Sequence, residues 1–343
     1  MIAPGMKESG VMDQIAFFFR EYNIYWSSIL LVAAVCVAVF LFLALYLGRS
    51  GKLLAAFGVV PLAVLLSFFC ARFIHWYCFA ESYSGFAAAM TDYSQGEFAL
   101  VGAFVGCALA VGILAVIRIL PDPAGMLDCM CLAGGAGIAV GRLACFFSTA
   151  DRGQILENIQ TLPLASAVIN VVSKATEYRL ATFMLQAIAT GLITLVLTGF
   201  YLSPRGKKWK NGEVSLIFLL CYCTAQVILD STRYDSMYFR SNGFVSVVQV
   251  LGAVALVSIS VLFSVRLVKN RGFRGVYVIL WVLMVALLGC AGYMEYYVQR
   301  HGNQAALSYG VMSVCLCVYT ALALGIRAFA GKKQQAVSQP ADE

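Results

Sequence analysis

Apolar runs long enough to cross a bilayer follow one another along most of the chain. They fall near 24–48, 53–79, 97–120, 126–147, 180–203, 213–233, 244–266, 275–297 and 305–330. About 20 apolar residues make a spanning helix, because backbone in hydrocarbon must satisfy its own hydrogen bonds. The pattern predicts nine helices. The run at 126–147 is the weakest, being rich in glycine and carrying Asp128 and Arg142. Glycines there suit close helix packing. No internal repeat is evident, and residues from Lys333 on read as a disordered polar tail. The first 23 residues hold Lys7, Glu8, Asp13, Arg20 and Glu21 without a small-residue cleavage site, so no cleaved signal peptide is predicted.

Composition turns this pattern into a class. Of 343 residues, 61% are hydrophobic and 12% charged, against roughly 25% charged in soluble domains. The mean hydropathy is +0.84. The fold expected is an all-α polytopic membrane protein. A formal net charge of +7 would suggest nucleic acid in a soluble chain; here basic loops account for it. Twelve cysteines lie almost entirely within apolar runs. Pairs such as Cys129/Cys131 and Cys221/Cys223 are two residues apart, on different helix faces, and read as small packing residues. There is no His and Cys set at zinc spacing, so neither a metal nor a soluble cofactor is expected.

Lys and Arg counted over alternate connections give an orientation. One set holds fourteen: Arg49, Lys52, Arg118, Arg205, Lys207, Lys208, Lys210, Arg266, Lys269, Arg271, Arg274, Arg327, Lys332 and Lys333. The other holds eight: Lys7, Arg20, Arg152, Lys174, Arg179, Arg233, Arg240 and Arg300. The richer set is taken as cytoplasmic, so the N-terminus is expected outside and the C-terminus inside. Residues 1–23 then form an extracytoplasmic segment, and 148–179, which carries Pro163, an extracytoplasmic arm. The run Arg205–Lys210 meets anionic lipid headgroups.

With that orientation the costly residues gather near the outer surface. Arg142 is the clearest. A guanidinium stays charged at any accessible pH, and placing one in hydrocarbon costs at least about 2.5–3.5 kcal/mol. Arg72, Asp92, Glu97, Asp230, Arg233 and Gln249 fall on the same side, as do Tyr25 and Trp26 at the start of the first span. Together they suggest a polar chamber for an anionic headgroup, since arginine forks pair with phosphate bidentately. The alternative is that each arginine pairs with a carboxylate merely to hold helices together, Arg72 with Glu97 for example. His75 shares a helix face with Arg72 and suits either a general base or an interfacial hydrogen bond. His301 reads as solvated.

Over roughly residues 22–270 the chain resembles the prolipoprotein diacylglyceryl transferases. The family's signature is Gly-Arg-x-Gly-Asn-Phe-x-Asn-x-Glu-x-x-Gly. Here Gly141, Arg142, Phe146 and Gly153 stand in register with it. Asp128 upstream, Tyr25-Trp26, Ala71-Arg72-Phe73, Phe183–Ala187, Gly212-Glu213, Leu229–Arg233 and Gly243-Phe244 with Gln249 resemble other family segments in order. There are departures. The family's histidine falls on Val101, its two signature asparagines on Cys145 and Ser148, its glutamate on Ala150, and a further arginine on Gln226.

The resemblance implies a seven-span core over 24–270, followed by two additional helices within 271–331 and a cytoplasmic tail from 332. It implies transfer of a diacylglyceryl group from phosphatidylglycerol to a lipobox cysteine thiol of a prolipoprotein, in the bacterial plasma membrane, with glycerol 1-phosphate released. Two needs follow: a base to form the thiolate and cations to hold the phosphate. Arg142, Arg233 and Arg72 meet the second. His75, Glu97 or Asp230 would replace the missing histidine, or the arginines alone would stabilise a preformed thiolate. Tyr25, Asp128, Asp230, Gln249, Gly141 and Gly153 complete the expected substrate-binding set. The losses at Val101, Cys145, Ala150 and Gln226 keep open a catalytically silent relative that binds phospholipid or lipopeptide, or acts as a membrane scaffold. A transporter is disfavoured by the lack of inverted repeats and midplane broken helices.

Overall fold

In the computed structural model, the described residues are 15–19, 22–49, 51–91, 98–148, 150–157, 161–169, 175–239, 242–301 and 304–337. The elements in chain order begin with β1 (Ile15–Phe19), β2 (Tyr22–Tyr25), α1 (Trp26–Gly48), α2 (Leu53–Cys78), α3 (Phe86–Thr91), α4 (Leu100–Val116) and α5 (Pro123–Arg142). They continue with β3 (Ala165–Ile169), β4 (Thr176–Leu180), α6 (Thr182–Leu202), α7 (Glu213–Asp230), β5 (Tyr238–Phe239), β6 (Asn242–Ser246), α8 (Val247–Arg271), α9 (Gly275–His301) and α10 (Ala305–Val337).

Each of the nine apolar runs is a helix, so the polytopic all-α class holds. Eight of the helices are long and apolar enough to cross a membrane. The exception is α4, whose 17 residues rise about 25 Å. Leu54, Phe40 and Leu195 are among many large apolar side chains left exposed, as expected of helices whose solvent is lipid. The helix α10 runs to Val337, past Lys333, where the sequence pattern predicts a polar tail. Three antiparallel two-stranded hairpins, β1–β2, β3–β4 and β5–β6, join the helices. The 148–179 arm contributes β3 to the second of these, with Ala165 opposite Leu180 and Ile169 opposite Thr176.

The chain forms two compact units that interleave in sequence. The first comprises 1–60, 125–208 and 232–236; the second comprises 61–124, 209–231 and 237–343. The crossing within α2 falls at Pro61, which cannot donate the helical hydrogen bond.

In the second unit α4 lies backbone-to-backbone on α2. A Cβ at Gly102 would overlap the Ala71 Cα and the Cys70 carbonyl, so only glycine fits. The core of this unit gathers Leu220 of α7, Leu256 and Phe263 of α8, Met284 of α9, and Met312 and Leu316 of α10. Polar ties accompany it. Glu213 at the start of α7 pairs with Arg266 of α8 and, at 2.6 Å, with Arg327 of α10. Arg327 also lies 3.7 Å from the Trp209 ring centroid. At the other end of α7, Ser231 donates to the buried Glu295 carboxylate of α9, and its carbonyl accepts from Tyr309 of α10 at 3.1 Å. Thr224 and Thr320 bridge the middle at 2.5 Å. The last helix is thus tied to α7 at both ends and at its centre, and α9 at one end.

Candidate functional site

The first unit carries a dense cluster of charge. Its foundation is local: α5 ends at Arg142, and a 3-10 turn, Leu143–Phe147, redirects the chain. The following segment runs alongside β4. Gly153 N–H donates to Leu180 O at 2.8 Å, Leu180 N–H to Gln154 O at 2.9 Å, and Leu156 N–H to Tyr178 O at 2.7 Å. On its other side this segment meets residues 232–236, where Tyr234 N–H donates to Arg152 O at 3.1 Å. A Cβ on Gly153 would sit 2.6 Å from the Thr232 carbonyl oxygen. Glycine is therefore required at this crossing, which gives the signature's final glycine a physical reason.

Asp151 sits at the centre, with a left-handed backbone (φ 57°) that aspartate tolerates better than most residues. Its carboxylate receives Arg142 and the Cys145 thiol (3.2 Å) on Oδ2, and Arg233 at 2.5 Å on Oδ1. Its own N–H donates to Asp235 Oδ2 at 2.7 Å. Arg233 Nε donates to Asp235 Oδ1 at 3.0 Å. Burial opposes ionisation of Asp151, but the Arg142 and Arg233 guanidiniums outweigh it, helped by the hydrogen bonds from Cys145 and Arg142. Together they hold the carboxyl at about 2. Two arginines and two aspartates thus balance in charge.

Arg152 is adjacent and different. Its guanidinium donates to Ser166 Oγ on β3 and, at 2.7 Å, to the Ser148 carbonyl, and it lies 5.4 Å from the Phe183 ring centroid. It is only 3% exposed, and burial pushes its pKa down from the ordinary value. Arg179 pairs with Glu177 at 2.9 Å and stacks 4.8 Å over Tyr234. Aromatic contacts surround the turn: Trp26 stacks on Phe147 and Phe146 meets Phe183 edge-on, each at 6.0 Å. Tyr25, directly before α1, is exposed, and Gly141 lies 3.5 Å (as a built Cβ) from the Ala34 side chain of α1.

The structure therefore brings Arg142, Arg233, Gly141 and Gly153 into one unit. Asp128 lies there as well, buried in α5 next to Cys129, which bonds the Tyr201 hydroxyl at 3.0 Å. The second unit holds Arg72, His75, Asp230 and Gln249. Arg72 is buried, donates Nε to Ala89 O at 2.5 Å, and faces the rings of Tyr83 and Phe98. His75 is buried, bonded through Nδ1 to Tyr83 OH at 3.2 Å and packed at a tilt against Phe79, ring centroids 4.8 Å apart. Asp230 accepts from Ser246 Oγ. Gln249 closes a reciprocal cap on α8: its N–H donates to Ser246 Oγ (3.1 Å) and its Oε1 accepts the Ser246 N–H (2.9 Å). Glu97 and Asp92 lie outside the described residues.

Sequence reasoning missed Asp151, Asp235 and Arg152. It aligned the signature glutamate with Ala150 and stopped there, whereas the acid stands one residue later. In a chain with only 17 acidic residues, a carboxylate one place out of register was the available signal.

Known proteins resemble the chain over most of its length. The family described as prolipoprotein diacylglyceryl transferase matches residues 14–266. Among similar proteins are phosphatidylglycerol–prolipoprotein diacylglyceryl transferases of three bacteria. That of Lactobacillus delbrueckii subsp. bulgaricus is 25% identical over 267 residues, covering 76% of this chain and 93% of its own. That of Ligilactobacillus salivarius is 24% identical over 258 residues (72% and 93%). That of Bacillus licheniformis is 24% identical over 269 residues (77% and 96%). The match stops within α8, so α9 and α10 lie beyond it. On this evidence of sequence and signature, the chain belongs to the prolipoprotein diacylglyceryl transferase family.

Proposed function

We propose that this membrane protein transfers the diacylglyceryl group of phosphatidylglycerol to a lipobox cysteine thiol of a prolipoprotein in the bacterial plasma membrane. The observation that carries the reading is the convergence of Arg142 and Arg233 on one buried carboxylate, built on the family's signature run. Asp151 and Asp235 hold the two guanidiniums in fixed orientation, so no reorganisation is needed when charge builds on a leaving phosphate. In the reaction the thiolate sulfur bonds to the glyceryl carbon, and the carbon–oxygen bond to phosphate breaks. Glycerol 1-phosphate departs with the electron pair. The family's histidine position is Val101, and the thiol must lose its proton before attack, because the thiolate is the nucleophile. Gly153 lets the site segments approach, and Tyr25 is exposed directly before α1.

The direct test is expression in bacterial cells depleted of their own transferase, scored by lipidation of a lipobox reporter. Stable insertion of this chain with no lipidated reporter refutes the reading. Cys145, Ser148 and Ala150 at signature positions favour one alternative, a silent relative that binds the phospholipid without turning it over. In that case the purified protein retains phosphatidylglycerol in native mass spectrometry, loses it in Arg142→Ala, and releases no glycerol 1-phosphate.

A further inference from the structure

Among the described residues of the cluster around Asp151, most of the charge is matched. Asp151 and Asp235 offset Arg142 and Arg233, and Glu177 offsets Arg179. No carboxylate forms an ion pair with Arg152 among the described residues, yet Arg152 is only 3% exposed. Its Nε–H is buried and has no hydrogen-bond partner. Its direct partners are neutral, namely the Ser166 hydroxyl, the Ser148 carbonyl and the face of Phe183, and the Asp235 carboxylate acts on it without forming an ion pair.

A buried cation with neutral partners and an unused donor carries a large desolvation cost. The same features suit an anion that arrives later, because a guanidinium offers its donors in a planar fork that matches phosphate oxygens. Arg152 is the net positive charge of the cluster. It stands at a position the family signature leaves open, so the signature does not assign it.

We infer that Arg152, with Ser166 and Ser148 fixing its plane, is a further anion-holding residue of this site, beside Arg142 and Arg233, and contacts the phosphate of a singly charged phosphodiester headgroup. This rests on the proposed function for the identity of the lipid, though not for the existence of the anion site. The arrangement sets charge selectivity. A headgroup with net charge −1 balances the cluster, whereas a zwitterionic headgroup brings its own cation and leaves the excess charge in place.

The test uses the full chain purified in detergent, with three probes: dioctanoyl phosphatidylglycerol, dioctanoyl phosphatidylethanolamine and inorganic phosphate. Wild type should bind phosphatidylglycerol in preference to phosphatidylethanolamine. Arg152→Gln should lose affinity for phosphatidylglycerol by about tenfold or more, the scale of a hydrogen bond to a charged group, and should lose the preference. Arg152→Lys, which keeps the charge without the fork, should fall between. Without ligand, Arg152→Gln should melt no lower than wild type, because a costly buried charge has been removed. A purely structural arginine would instead lower the melting temperature and leave lipid preference intact.

Equal phosphatidylglycerol affinity in wild type and Arg152→Gln overturns the inference. Arg152-dependent binding of inorganic phosphate, matching that of the lipid, supports the anion site and identifies free phosphate as its ligand. Failure of transfer with Arg152-dependent binding intact refutes the transferase reading alone. Transfer that proceeds equally in Arg152→Gln refutes this inference alone.

Discussion

Replacing Asp151 by Asn removes the charge that holds Arg142 and Arg233 together while keeping the side chain's shape. The wild-type carboxyl titrates at about 2 against an ordinary 3.8, a difference worth about 2.5 kcal/mol at 1.36 kcal/mol per pKa unit. Opening a buried ion pair by removing one partner costs about 3–5 kcal/mol. The Asn oxygen still accepts a hydrogen bond, so a loss of about 3 kcal/mol is expected at neutral pH. At roughly 2–4 °C per kcal/mol, the melting temperature should fall by about 10 °C. Acid supplies the internal control. The folded-state pKa of Asp151 is depressed, so its contribution is complete above the unfolded pKa and is lost as pH falls through the folded value. The gap between wild type and Asp151→Asn should be constant above about pH 5, narrow between about pH 4 and pH 2, and close near pH 2. The assay is thermal unfolding of both proteins in the same detergent across that range. A gap absent at pH 7, or one that persists undiminished at pH 2, would refute the reasoning.

Three other substitutions bear on the same scheme. Gly153→Ala places a methyl 2.6 Å from the Thr232 carbonyl and should push residues 232–236 away, lowering reporter lipidation at least tenfold. Val101→His restores the family's residue; if proton removal limits turnover, the rate of glycerol 1-phosphate release should rise on the order of 100-fold, and an unchanged rate would show that another group serves this step. Glu213→Ala leaves Arg266 and Arg327 without their shared carboxylate. Discounting for the partial exposure of both arginines, it should destabilise the second unit by about 1–2 kcal/mol in thermal melts, without altering phosphatidylglycerol affinity.

The helices were legible because hydrocarbon leaves the backbone few options: every long apolar run had to become one. The hairpins were less so. The arm at 148–179 has mixed polarity, and the β3–β4 pairing depends on contacts that no local pattern announces. Arg142 and Arg233 could be foreseen as companions, since each is a charge in or beside an apolar run and each lies on a family segment. Asp151 could not be, because its role depends on a left-handed turn that swings a carboxylate one position out of register between them. Arg152 read as one more loop cation in the orientation count, and only its burial and its partners distinguish it. Gln249 stands among the polar residues by position, and its role in capping α8 is not visible without the fold. The interleaving of the two units follows from contacts far apart in sequence, such as Arg49 with Gly206 and Glu213 with Arg327, which periodicity does not encode.

That interleaving has a consequence for how the protein is made. Residues 232–236 belong to the first unit but are synthesised after all the rest of it, with α7 intervening. A nascent chain that has reached Leu202 carries Asp151 and Arg142 but neither Arg233 nor Asp235. The acid then has one guanidinium partner rather than two, and the crossing strand that packs on Gly153 is missing. Assembly of the charged cluster is thus deferred until α7 has been threaded into the membrane. The order of translation acts as a timer: no chain that stops short of the end of α7 carries the finished cluster.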